Sequence, residues 1–287
     1  MTSLQIQKLR QKIKDLVPQD RLVLLPGEFH VYQDPNTGIE FKSATTKLKV
    51  INNPIFQNWR GNRMLEKYDE LIPQIKAGQI TQDEAIKIAK TWPEEVFAKA
   101  GERGTAVHNY IHLYFSDWIR KEERPGSIIA YVDGSLGQPV EKDYAIWSAL
   151  RCAEEWIIKS GFIPLASEIR VWSVKYKEAG TLDAIGIIGN DIVLIDWKTA
   201  NELRDDYWLQ IGCYYRCFVE LTKILPKYGV IIKLDKEQGR LDKPEKVPQL
   251  HKRFEEFRTV SRMYDIMHSI RDQRKELQNE DKKIAYI

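Results

Sequence analysis

The sequence predicts a mixed α/β fold: a central sheet flanked by helices, with a mainly helical N-terminal region. Three observations carry this. The stretch Ala179 to Thr199 reads as two apolar runs broken by Gly189-Asn190, a hairpin signal. Apolar residues recur at helical spacing from Val107 to Trp118, from Glu141 to Lys159 and from Arg204 to Leu221. Two further β-rich runs, Glu168 to Tyr176 and Tyr228 to Leu234, stand on either side of the hairpin in the chain.

The bulk properties fit that class. The chain has 287 residues, with 43% hydrophobic and 30% charged side chains, the balance of a globular protein rather than a disordered one. No apolar run approaches membrane-spanning length, and the N-terminus lacks a signal-peptide core, so neither a membrane nor secretion is expected. Cys152, Cys213 and Cys217 form no disulfide framework and no C-x-x-C pair, which suits a reducing compartment. The net charge of +3 is compatible with nucleic-acid binding and decides nothing, because such binding needs a local basic track. Repeats and low-complexity tracts are absent.

Along the chain, Ile6, Leu9, Ile13 and Leu16 predict a short helix that Pro18 stops. Lys8, Arg10, Lys12 and Lys14 make it basic, but Asp15, Asp20 and few serines argue against mitochondrial targeting and for a docking or solvated arm. Phe29 to Tyr32 and Ile39 to Phe41 read as short strands around the turn Asp34 to Gly38. Ser43-Ala44-Thr45-Thr46, Leu48, Pro54 and Asn58-Trp59 follow, in themselves a capped helix with a buried Trp59. Thr81 opens a helix with Asp83 and Glu84 in its first turn; Pro93 should interrupt it, and Gly101 and Gly104 should bracket a break.

From Gly104 onward, Val107, Tyr110, Ile111, Tyr114, Phe115 and Trp118 predict a buried helical stripe, with His108 beside it. A lone His there is ordinarily structural. His112, one turn on, invites a zinc-pair reading that no further N/S ligand cluster supports. A looser stretch spans Pro125-Gly126 and Gly134 to Pro139, and Gly161 should stop the helix that follows. Glu168 opens a strand, where it can equally pair with Arg170 or Lys175. In the helix after Thr199, Tyr207, Gln210, Ile211, Tyr214 and Phe218 share one side. A connector with Pro244 and Pro248 leads to a closing helix from about His251 to Gln278. One core from 99 to 287, with residues 1–98 packing on it, is the expected division.

The hairpin holds the chemistry. With Gly189-Asn190 as its loop, Asp183 falls opposite Asp196, and the two carboxylates stand about 5 Å apart at Cβ. That is repulsive unless a cation lies between them. Lys198, two residues on and on the same face, is one such cation; a divalent metal is the other, since Mg²⁺ takes hard carboxylate oxygens. A solvated Asp/Lys face is the bland alternative, and the apolar flanks oppose it.

Asp183 followed by Asp196-Trp197-Lys198 resembles the Asp-(x)n-(Asp/Glu)-x-Lys core of the PD-(D/E)XK nuclease superfamily. Gly180-Thr181-Leu182-Asp183, Asp196-Trp197-Lys198-Thr199 and Gln210-x-x-x-Tyr214 resemble its RecB-like branch, including mitochondrial genome-maintenance exonucleases and phage-type single-strand exonucleases. Leu182 replaces the usual Pro, a departure common in that branch. Gly104 to His108 resembles the Gly-x-x-x-His element whose imidazole joins the metal site, and Glu168 resembles an acidic residue of the preceding strand. Ser43-x-Thr45, Leu48 and Trp59 are similar to a stretch that precedes the core in these enzymes.

The resemblance implies a restriction-endonuclease-like core and a metal-dependent deoxyribonuclease. It further implies an exonuclease on single-stranded DNA ends in replication, repair or recombination, in the cytoplasm of a bacterial or phage-infected cell. Mg²⁺ or Mn²⁺ would be held by His108, Asp183 and Asp196 with the Trp197 carbonyl, and supported by Glu168 and Thr181. Lys198 would orient the attacking water and steady charge on the phosphorane, or take a proton if its pKa were strongly depressed. Gln210 and Tyr214 would position the strand. Relatives with an Fe–S cluster use four Cys ligands, which three cysteines cannot supply, so no Fe–S cluster is expected. A structure-specific or restriction-type endonuclease on the same core, and a non-catalytic DNA-binding or recombination accessory module, remain as alternatives. Protein partners are not indicated.

Overall fold

The computed structural model describes residues 1–27, 30–51 and 54–284. In chain order the elements are α1 (Ser3–Leu16), β1 (Val23–Leu25), β2 (Val31–Gln33), β3 (Glu40–Ser43), α2 (Ala44–Leu48), α3 (Pro54–Lys76) and α4 (Gln82–Lys121). Then come α5 (Ile128–Leu136), α6 (Tyr144–Ser160), β4 (Ile163–Ser173), β5 (Glu178–Ile188), β6 (Asp191–Lys198), α7 (Asp206–Thr222), β7 (Tyr228–Lys233), β8 (Glu245–Val247) and α8 (Leu250–Ile284). Among the described residues, no helix is long and apolar enough to cross a membrane.

The fold is α/β with a mixed, open sheet in the order β1-β2-β3-β5-β6-β7-β8, and β4 also pairs with β5. The pairs β3–β5 and β6–β7 are parallel and the others antiparallel. Gly189 takes φ +62°, the left-handed value its turn requires, and folds β5 onto β6 with Ile188 opposite Asp191 and Ala184 opposite Ile195. That is the register read from the sequence.

The position of the site follows from how β5 divides its edges. One edge is taken by β4 along nearly the whole strand. The other is shared: β3 pairs at Glu178 and Ala179, and β6 pairs from Ala184 to Ile188. Residues 180–183 lie in the gap between these two partners. Helices cover both faces. Trp197 on β6 meets the rings of Phe115 on α4 and Trp156 on α6, whereas its neighbour Lys198 bonds Gln210 on α7.

Two compact units follow different boundaries from the 98/99 division read from the sequence: Met1–Ile51 with His108–Ile287, and Asn52–Val107. Residues 1–51 belong with the core because β1, β2 and β3 extend its sheet, and Ile13, Leu22, Tyr32, Phe41, Ala44 and Leu48 are buried in it. The basic helix α1 is a docking arm, with the Arg10 guanidinium donating to the Pro164 carbonyl at 2.9 and 3.1 Å. The second unit contains α3 and the first part of α4.

Other departures have local causes. Thr81 and Glu84 cap α4 reciprocally, as its sequence implies, but the helix runs on through Pro93, Gly101 and Gly104. An interior proline removes one donor and costs about 3 kcal/mol, and each glycine about 1 kcal/mol; Ala85 and Ala89, on the turns before Pro93, are buried. Ser43 does cap a helix, accepting from the Thr46 N–H at 3.0 Å, but Trp59 is only half-buried and stacks on Phe56. Of the first expected strand, Phe29 lies outside the described residues. Helix α5 fills what reads as a loose stretch, and β8 forms between Pro244 and Pro248.

Candidate metal centre

Three elements bring ligand-type side chains together at the gap in the β5 edge. Asp183 stands on β5, where the antiparallel ladder to β6 stops one pair short of it. Its Oδ2 instead accepts the Trp197 backbone N–H at 2.7 Å. Its Oδ1 lies 3.5 Å from His108 Nδ1, and the same ring nitrogen lies 3.3 Å from Glu168 Oε1. Ligand atoms of His108, Glu168 and Asp183 all fall within 4.8 Å of one another.

Glu168 reaches this cluster through a distortion. In β4, Ser167 pairs with Ala184 and Ile169 with Leu182, while Glu168 takes φ +50° between them. A left-handed backbone costs a non-glycine residue roughly 1–2 kcal/mol, and such strain gathers at functional sites.

Beside the cluster runs a second, buried chain of contacts. Asp196 is 1% exposed, with Oδ2 at 2.7 Å from the Lys198 ammonium. The contact is an ion pair without hydrogen-bond geometry, which leaves Asp196 Oδ2 short of a hydrogen bond. Lys198 Nζ donates to Gln210 Oε1 at 2.9 Å, and Gln210 Nε2 donates to the Tyr214 hydroxyl at 2.7 Å. The ammonium also lies 4.5 Å from the centre of the Tyr207 ring, a cation–π distance. Two residues before Asp183 on β5, the Thr181 hydroxyl meets that of Tyr32 at 3.0 Å.

The charges are strongly coupled. Burial, joined by the charge of Asp183, pushes Asp196 up to about 6 against the pull of Lys198. Asp183 is buried too, but His108, Lys198 and the Trp197 N–H hold it below the usual carboxylate value. Burial opposes protonation of His108, yet the Asp183 and Glu168 carboxylates raise it to about 10. Lys198 is likewise raised, its desolvation outweighed by Asp196 and Asp183. It is therefore an ammonium at neutral pH, and the depressed pKa required of a lysine base is not present.

These residues fit a divalent cation. The His108 nitrogen, which gives up its proton to bind a metal, and two carboxylate oxygens lie within 4.8 Å of one another, with the under-bonded Asp196 oxygen in the contacts beside them. The Lys198 carbonyl accepts from Leu234 N–H, so the Trp197 amide and carbonyl point the other way, toward β5.

Compared with the sequence reading, Glu168 moves from a supporting place into the ligand cluster. Asp196 stands outside that cluster, in the pair with Lys198. Gln210 and Tyr214 are 5% and 4% exposed and point inward, so they hold Lys198 and offer no surface to a strand. His112 bonds Ser167 Oγ at 2.7 Å and is no part of a zinc pair. Tyr32 was not among the candidates, and nothing in its short strand signals that it reaches Thr181. The chain matches no protein-family model and no curated protein.

Proposed function

We propose that the protein is a Mg²⁺- or Mn²⁺-dependent nuclease with a restriction-endonuclease-like core, hydrolysing DNA from single-stranded ends. The observation that carries the reading is the convergence of His108, Glu168 and Asp183 beside the Asp196–Lys198 pair, in the gap of the β5 edge. It joins the cluster to the D…DxK and Gln-x-x-x-Tyr spacing of the sequence. The bound ion would supply Lewis-acid polarisation of a phosphate and a water activated near neutral pH.

His108, Glu168 and Asp183 would hold the cation, with Asp196 and the Trp197 carbonyl adjacent. Lys198, kept charged by Asp196 and fixed by Gln210, would stabilise negative charge developing on the phosphorus oxygens. Gln210 and Tyr214 would act by fixing that ammonium. The test is incubation of a 5′- or 3′-end-labelled single strand with and without Mg²⁺. Metal-dependent release of mononucleotides or very short products supports the exonuclease; defined internal fragments would make it an endonuclease, and intact strands would refute the nuclease reading.

A further inference from the structure

We infer that His112 is a positioning residue for the cation site: its bond to Ser167 holds the left-handed kink of β4 that aims the Glu168 carboxylate at His108. The inference rests on the metal-site part of the reading above. Ser167 and Glu168 are neighbours in β4, and alternation along a strand sends neighbouring side chains to opposite faces. Here both reach one helix. His108 and His112 stand one turn apart on α4, so they share a face. His108 Nδ1 meets Glu168 Oε1 at 3.3 Å, and His112 Nδ1 meets Ser167 Oγ at 2.7 Å.

Alternation is broken by the left-handed backbone of Glu168, φ +50°, while the ladder to β5 continues on either side through Ser167 and Ile169. A glutamate stays in that conformation only where its surroundings over-determine it. The two flanking ladder pairs fix the strand, and the His112–Ser167 bond fixes the side of the strand that faces α4. Release of that bond lets residue 168 return to an extended backbone, which turns its carboxylate away from His108.

Calorimetric Mn²⁺ titration of the full chain tests this with His112→Leu, His112→Asn, Ser167→Ala, Glu168→Gln and the double variant His112→Leu/Glu168→Gln. His112→Leu and Ser167→Ala should each weaken Mn²⁺ binding about tenfold, within the range for partners of metal ligands. His112→Asn, whose amide reaches the position of Nδ1, should recover most of the loss. In the Glu168→Gln background, His112→Leu should cost nothing further, because the group it positions is gone. Additive losses in the double variant, unchanged affinity in both His112→Leu and Ser167→Ala, or a wild type that binds no Mn²⁺ would overturn the inference. Cleavage is not the readout. A protein that binds Mn²⁺ in this pattern yet leaves DNA intact would refute the nuclease reading and keep His112 in its role.

Discussion

Lys198 faces two carboxylates that differ in their hold on a proton. Asp196, desolvated, is raised to about 6, while Asp183 is lowered beside the His108 imidazolium. Asp196→Asn should therefore abolish cleavage while the fold survives. Halving a buried pair costs about 3–5 kcal/mol, and Gln210 and the Tyr207 ring still hold the ammonium; activity and circular dichroism on one preparation check this. His108 gives a pH prediction. Its value rises from an ordinary 6.5 to about 10 on folding, so its stabilisation is complete below the lower value and is lost as pH climbs toward the upper one. The raised Asp196 acts with the same sign in acid, between its ordinary value and about 6, and the lowered Asp183 with the opposite sign. The metal-free Tm should fall between about pH 7 and 10, and His108→Gln should flatten that fall. An equal slope in the variant would remove His108 as its source.

At the scale of elements, Gly180 shows how β5 and α7 are matched. A Cβ at this position would stand 2.3 Å from a Tyr214 ring carbon. Gly180→Ala should force the ring aside, destabilise the protein by about 1–3 kcal/mol, and loosen the Tyr214–Gln210–Lys198 chain. Turnover should drop more than Mn²⁺ affinity, since Lys198 is not in the ligand cluster; equal losses would contradict that separation. The hairpin itself was legible, because Gly189-Asn190 and strand alternation fix which residues oppose each other. Asp183, Asp196 and Lys198 follow from that register; Gln210 and Tyr214 read as facing the carboxylates and a DNA strand, and their bonds to Lys198 and to each other do not show in the sequence. Glu168 was legible only as an acidic residue on the right strand, since no local signal announces a left-handed glutamate. The path of α4 through Pro93 was hidden for another reason: local penalties are visible in sequence, whereas the packing that offsets them is not.

For the whole molecule, the parallel β3–β5 pair is the contact that local patterns cannot reveal, because it joins residues far apart in the chain. It places residues 1–51 inside the core sheet. A fragment of residues 99–287 should consequently lack cooperative unfolding, as it loses β1, β2, β3 and the buried Ile13, Tyr32 and Phe41. A sharp thermal transition in that fragment, close to that of the full chain, would show that the first three strands are dispensable.

The central claim, a catalytic cation site in unit Met1–Ile51 with His108–Ile287, is met most directly by measuring Mn²⁺ binding and strand cleavage on the same samples of wild type and Lys198→Ala. The ligand cluster excludes Lys198, so Mn²⁺ should bind both proteins with similar affinity. Wild type should cleave an end-labelled single strand only with the metal, and Lys198→Ala should lose cleavage by about two orders of magnitude or more. Cleavage that persists in Lys198→Ala, or a wild type that binds Mn²⁺ and leaves the strand intact, would contradict the account.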